Sequence, residues 1–212
     1  MSSFQSITIL FFKVFRKVYY TFLKVLDKVF CCFILYSNGV KFDKFITNGV
    51  PKVFIARGGR MVIGVNFKMN NREVSNPIGR FKRCSFMVGK NGNLIFGNNV
   101  GISSSAIVCH NSVQIGDNVK LGGNVVIYDT DFHSLNPEER KDSYKDRLGA
   151  KNKPIIICSN AFIGAHSTIL KGVTIGQNSI IGACSVVTKD VPENQIWAGN
   201  PAKFIRKLDE KQ

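Results

Sequence analysis

Residues 157–187 read ICSNAF IGAHST ILKGVT IGQNSI IGACSV V, with an aliphatic residue at every sixth position. The members of this series are Ile157, Ile163, Ile169, Ile175, Ile181 and Val187. A period of six matches neither the 3.6 residues of a helical turn nor the two-residue alternation of an isolated strand. It fits a prism in which three short parallel strands form a coil of about 18 residues and bury one stacked side chain per strand.

The same period occurs earlier in the chain. Ile115, Leu121 and Ile127 form one set, and Phe96, Ile102 and Val108 form another, with one residue inserted between Val108 and Ile115. Gly, Asn and Asp follow many of these positions, as the turns of a prism require. We expect the coils to occupy residues 51–208, interrupted by loops at 66–82, which contains Pro77 and Gly79, and at 134–154. The second loop is long enough to indicate a functional role.

Residues 1–50 form a separate segment with a different pattern. Residues 4–36 are apolar and aromatic, and no Pro or Gly occurs before Gly39, which predicts one long amphipathic helix. Its cations share one stripe, and they are Lys13, Arg16, Lys17, Lys24 and Lys28. Its uncharged stretches are shorter than the roughly 20 residues that span a bilayer. The helix is therefore expected either to lie in a membrane interface or to pack on the domain or another subunit, and the two interpretations are compatible.

The positive charge belongs to the N-terminal part of the chain. Residues 1–90 contain 16 Lys and Arg against 3 Asp and Glu, a net charge of +13 out of +15. Anionic lipid, nucleic acid or an anionic glycan would fit such a surface. A nucleic-acid partner is disfavoured, because the aromatic residues follow an apolar helical pattern. The six cysteines contain no C-x-x-C pair and are expected to be small buried residues in a reducing compartment.

Two stretches carry a family resemblance. One runs AFIGA at 161–165 through ILKGVTIG at 169–176, and the other is IGACSVVTKDVP at 181–192, followed by WAGNPAK at 197–203. They resemble hexapeptide-repeat acyltransferases of the maltose and galactoside O-acetyltransferase type, including the branch that acetylates polysaccharide and lipopolysaccharide. The resemblance covers about residues 53–208. It implies an all-β, left-handed parallel β-helix, here preceded by the amphipathic helix.

The resemblance also implies an activity and a site. The expected reaction is acetyl transfer from acetyl-CoA, without a metal, to a hydroxyl of a sugar or bacterial surface glycan, with His133 as the general base. Asp131 lies two residues before His133, so the two side chains would share one face of an extended strand, and Asp129 is the alternative orienting carboxylate. The expected CoA contacts are Ala165, Ala183, Thr188, Lys189, Lys203 and Arg206, and the expected acceptor contacts are Ser103, Ser104 and Asn124. A homotrimer is expected, in the cytoplasm or peripherally on the inner face of the cell membrane.

Other functions compete with this interpretation. Sugar-nucleotide N-acetylation is the first alternative, since those enzymes have similar C-terminal motifs. A non-catalytic β-helix scaffold is the second, and the Asp-x-Asp-x-His pattern at 129–133 argues against it. A zinc lyase on the same scaffold would need three converging imidazoles. His110 and His166, the other two histidines, are expected to be turn residues.

Overall fold

The computed structural model describes residues 3–76, 78, 80 and 82–208. The fold is a left-handed parallel β-helix with six coils. Sheet 1 contains β1 (Lys41–Phe42), β4 (Arg60–Ile63), β7 (Asn93–Phe96), β10 (Ser112–Ile115), β13 (Ile155–Ile157) and β16 (Thr174–Ile175). Sheet 2 contains β2 (Phe45–Asn48), β5 (Phe67–Asn70), β8 (Gly101–Ser103), β11 (Lys120–Leu121), β14 (Phe162–Ile163), β17 (Ile180–Ile181), β19 (Gln195–Ala198) and β20 (Lys203–Lys207). Sheet 3 contains β3 (Lys52–Ile55), β6 (Ser85–Val88), β9 (Ala106–Cys109), β12 (Val126–Tyr128), β15 (Thr168–Leu170) and β18 (Val186–Val187).

The six-residue series forms the core, as predicted. Each of its members from Ile157 to Val187 is at most 1% exposed. One earlier assignment was wrong, because Ile107 is buried in the place predicted for Val108. Ile107 follows Ile102 by five positions rather than six, because the corner between them is short. The extra length therefore falls at the next corner, which holds His110 and Asn111.

The coils begin earlier than the sequence indicated. Strands β1 and β2 pair with β4 and β5, so the stack starts at Lys41 rather than at residue 51. Strand β5 also lies inside the loop predicted at 66–82, and the chain leaves the coil only after Asn70. Pro77 and Gly79 lie outside the described residues.

The prism has three edges, and each edge takes the numbers of the two sheets that it joins. Edge 1–2 carries six asparagines with positive φ, a conformation that Asn tolerates better than most residues. Each amide bonds the next across the coils, at 2.7–3.1 Å. These residues are Asn66, Asn99, Asn118, Asn160, Asn178 and Asn194. The ladder satisfies the corner side chains along the length of the domain.

Helix α1 (Ser3–Ser37) confirms the predicted N-terminal helix. Its C-terminal half covers the open end of the first coil, where Cys31 and Leu35 are fully buried and Phe45 lies in the same core. Its N-terminal half is exposed. Within the described part of the chain, no helix is long and apolar enough to span a bilayer.

The cysteines only partly follow the expectation of burial. Cys31, Cys84 and Cys109 are buried, and burial raises the pKa of each thiol to about 12. Cys32 and Cys158 are half-buried, and Cys184 is exposed at a corner. All six are free thiols.

Candidate active site

The insertion between β12 and β13 is a folded unit at edge 3–1. Asn136 caps α2 (Pro137–Arg140), and Asp142 caps α3 (Ser143–Gly149) by accepting two backbone N–H groups. A bridge between Thr130 and Asn152 closes the base of the insertion. Local capping and this bridge therefore fix the position of the residues between them.

His133 lies in this insertion and is paired with a carboxylate. Its Nδ1 is 2.7 Å from Oδ2 of Asp146 in α3, whose Oδ1 accepts the Ser134 N–H at 2.7 Å. The hydrogen bond from His133, then that from Ser134, lowers the pKa of Asp146. With a proton on Nδ1 directed at Asp146, Nε2 is the basic nitrogen. The His133 side chain is 70% exposed, so this nitrogen is accessible to a substrate.

The predicted orienting carboxylates do not contact His133. Asp129 is fully buried and accepts the backbone N–H groups of His110 and Asn111, each at 2.7 Å. It therefore clamps the enlarged corner of the preceding coil. Asp131 pairs instead with Lys171, with 3.0 Å between Oδ1 and Nζ.

The prediction failed because the chain is not extended here. Strand β12 ends at Tyr128, and Phe132 has φ +64°, so Asp131 and His133 do not alternate as on a strand. Asp146 was missed because it is 13 residues from His133 in the sequence. The capping patterns at Asn136-Pro137 and Asp142-Ser143 indicate the two short helices, although not the contact itself.

The other two histidines are corner residues, as expected. His110 follows β9 at edge 3–1, and its backbone N–H bonds Asp129. His166 has φ +63° at edge 2–3 and donates its N–H to Gly123. Among the residues that the structure describes, no group of three or more His, Cys, Asp or Glu side chains is arranged to hold a metal ion.

The residues predicted to contact the acceptor lie at edge 2–3 beneath the loop 71–84. Ser103 accepts a hydrogen bond from Asn70 at 3.0 Å, and Asn124 donates to the Arg80 carbonyl at 2.8 Å. Ser104 is fully buried, and its hydroxyl accepts from Asn76 at 2.8 Å. Ser104 is therefore enclosed by the loop, whereas Ser103 and Asn124 remain half-exposed.

Four of the six residues predicted to contact CoA are divided between two edges, and the other two lie in sheet 2. Ala165 and Ala183 occupy equivalent corners of successive coils at edge 2–3, where the Ala165 carbonyl accepts the N–H of Cys184. Thr188 and Lys189 follow β18 and are exposed at edge 3–1. Lys203 and Arg206 lie in β20, the antiparallel partner of β19. Sheet 3 separates the two edges within one protomer.

Family profiles match two separate parts of the coil stack. The profile described as bacterial transferase hexapeptide (six repeats) matches residues 154–189. The profile described as hexapeptide repeat of succinyl-transferase matches residues 93–129. Both matched stretches of the coil stack therefore carry the hexapeptide repeat of this family.

Relatives of this chain include the galactoside O-acetyltransferase of Escherichia coli. It is 43% identical over 105 residues, which are 50% of this chain and 49% of that protein. The chain thus spans about half the length of this relative. A galactoside acetyltransferase structure in complex with coenzyme A is 32% identical, covers 81% of this chain and 65% of its own, and has a TM-score of 0.52. A hexapeptide-repeat acetyltransferase from Vibrio cholerae is 28% identical, covers 70% and 74%, and has a TM-score of 0.56.

Proposed function

We propose that this protein is an acetyl-CoA-dependent O-acetyltransferase acting on a hydroxyl of a sugar or bacterial surface glycan. The observation that carries the proposal is the pairing of an exposed His133 imidazole with Asp146, which leaves Nε2 free to accept a proton. The O-acetyltransferase named among the relatives and the coenzyme A complex of a similar structure support the same chemistry.

The proposed reaction is a direct transfer. Nε2 of His133 removes the hydroxyl proton as the acceptor oxygen attacks the thioester carbonyl of acetyl-CoA. Asp146 stabilises the imidazolium that forms. When the tetrahedral intermediate collapses, the carbon–sulfur bond breaks, and His133 returns the proton to the CoA thiolate. The products are the acetyl ester and free CoA.

The division of site residues between two edges supports a homotrimer. Edge 3–1 supplies His133, Thr188 and Lys189, and edge 2–3 supplies Ala165 and Ala183. If edge 3–1 of each protomer faces edge 2–3 of the next, a closed ring of three contains three complete sites. CoA would then lie between two protomers, with its arm along the alanine corners. Lysine and arginine at 189, 203 and 206 suit its phosphates.

The acceptor would occupy the same cleft from the side of the loop 71–84. Ser103 and Asn124 are the half-exposed polar residues there. Ser104 would act indirectly, because its hydroxyl is buried against Asn76.

Helix α1 would place this activity at the inner face of the cell membrane. Lys13 and Lys24 are exposed but share one side of the helix with Cys31, which packs on the domain, because the three recur at intervals of 11 and 7 residues. The opposite side is a continuous exposed surface formed by Phe11, Phe15, Phe22, Val29 and Phe33, each more than half exposed. Such a face suits the boundary between headgroups and acyl chains, with cations of the helix near anionic headgroups.

Two assays test these proposals. Turnover of acetyl-CoA is measured against matched sugars that offer either a hydroxyl or an amine. Ester products support the proposal, and exclusive amide products would replace O-acetylation by N-acetylation.

For the membrane contact, Phe11→Ser with Phe22→Ser should abolish sedimentation with anionic vesicles but preserve turnover of a soluble sugar. If the wild type stays in the supernatant at low salt, the aromatic face belongs to contacts within the oligomer instead.

A further inference from the structure

A cleft of about 420 Å³ separates α1 from the short 3₁₀ helix at Glu73–Ser75. Arg16, Tyr20 and Lys24 of the helix form one wall, and Arg72 and Ser75 form the other. Its lining includes none of the residues assigned above to acetyl transfer. The cleft therefore needs an explanation of its own.

The orientation of Arg72 in this cleft is fixed from within the protein. The buried Asp27 accepts Nε of Arg72 at 2.9 Å and Nη2 at 2.6 Å, and it also accepts the Gly49 N–H at 2.6 Å. Asp27 is thus fully engaged. The remaining guanidinium nitrogen, Nη1, makes no hydrogen bond within the described residues. A fixed arginine with an unused donor is suited to an oxyanion.

The charge of the cleft favours an anion. Arg16, Lys24 and Arg72 face one carboxylate, Asp27, so three positive charges against one negative leave an excess of +2. A second cleft of about 350 Å³ adjoins the first, since both are lined by Tyr20, Leu23, Arg72 and Val74. The second cleft adds one cation, Arg83, and one carboxylate, Glu73, so it leaves the excess of positive charge unchanged. Tyrosine and aliphatic side chains beside these cations offer a surface for a less polar group attached to the anion.

We propose that this cleft binds a phosphoryl group, supplied by a lipid headgroup or by a lipid-linked acceptor. A phosphoryl group can carry two negative charges, which match the excess of +2, and one of its oxygens can accept a hydrogen bond from the unused Nη1 of Arg72. The loop 71–84 connects the cleft to edge 2–3, because it also supplies Asn76 to Ser104 and Arg80 to Asn124. The inference rests on the proposed function for the lipid source, and it would place the phosphate and the sugar of one acceptor along the same loop.

Isothermal titration of the full chain with two probes tests the proposal. Inorganic pyrophosphate represents a free phosphate, and monomeric dihexanoyl phosphatidic acid represents a lipid phosphate. The test variant is Arg16→Gln with Lys24→Gln. The matched control is Lys13→Gln with Lys17→Gln, which removes the same charge from exposed positions of the same helix outside both clefts. The test variant should weaken binding by about tenfold or more, and the control by less than about twofold.

The two probes separate the sources of the phosphate. If the test variant loses binding of both probes, the result supports a phosphoryl site. If the wild type binds only the lipid probe, the result supports a lipid headgroup as the source of the phosphate. Binding of pyrophosphate without the lipid probe would overturn the lipid source. The site would be overturned if the test and control variants weaken probe binding equally. It would also be overturned if the wild type binds neither probe at millimolar concentration. Because no turnover is involved, acetyl transfer to a soluble sugar on the same preparations reports separately on the proposed function.

Discussion

Asp129→Asn distinguishes a structural from a catalytic role for this carboxylate. In the structure, its two oxygens accept the N–H groups of His110 and Asn111 in a fully buried position. The side-chain carbonyl oxygen of an asparagine can still accept one of these two backbone N–H groups. Its NH₂ group, which cannot accept a hydrogen bond, then faces the other N–H. One charge-assisted hydrogen bond is lost, worth about 1.5–3 kcal/mol, and a buried donor is left unsatisfied, at a further cost of about 1–3 kcal/mol.

Together these two effects should decrease the free energy of unfolding by about 2.5–6 kcal/mol. For a chain of this size, that lowers the melting temperature by roughly 5–24 °C. Melting is followed at fixed protein concentration, because an oligomer's stability depends on concentration. Glu138→Gln is the control, since this exposed carboxylate in the same insertion pairs only with Lys141. Turnover well below the melting temperature should stay within a few-fold of wild type. An unchanged melting temperature with a large loss of kcat would refute this reasoning and return Asp129 to the catalytic group.

Three further predictions concern the acetyl-transfer site. His133→Ala should lower kcat by about 10²–10⁴-fold in a steady-state assay while CoA binding persists, because only the general base is removed; near wild-type turnover would assign the base elsewhere. The lowered pKa of Asp146 means that its contact with His133 stabilises the protein above the unfolded carboxyl pKa of about 4 and is lost as the pH falls through the folded-state value. The difference in melting temperature between wild type and Asp146→Asn should therefore shrink from pH 7 to pH 3, and a constant difference would contradict the assigned contact. Lys189→Ala and Arg206→Ala should each raise the KM for acetyl-CoA more than that for the sugar, and equal effects on both substrates would remove them from the CoA site.

The repeat made the core predictable, because one aliphatic residue per side is required wherever a coil is regular. The predicted core position was wrong by one residue at Ile107, where the coil is irregular. A short corner before this residue is followed by a long one, so the spacing of the flanking repeats does not show where the irregularity lies. The candidate base could be found from its motif and its place at the insertion. Its partner could not, because strand alternation ended at Tyr128 and Asp146 reaches His133 only through the fold of two short helices. The division of the site between two edges likewise depends on which corner each repeat occupies.

Helix α1 is both a covering for the first coil and a carrier of exposed aromatic surface. Cys31 and Leu35 are buried with Phe45, so cutting the chain after the helix would uncover apolar side chains and the unpaired backbone groups of β1 and β2. Helix α1 is therefore part of the folded core and cannot be removed without destabilising the first coil. Proteolytic cleavage after the helix would expose the outer edge of these strands to other chains, so we expect the truncated protein to aggregate rather than to remain dispersed.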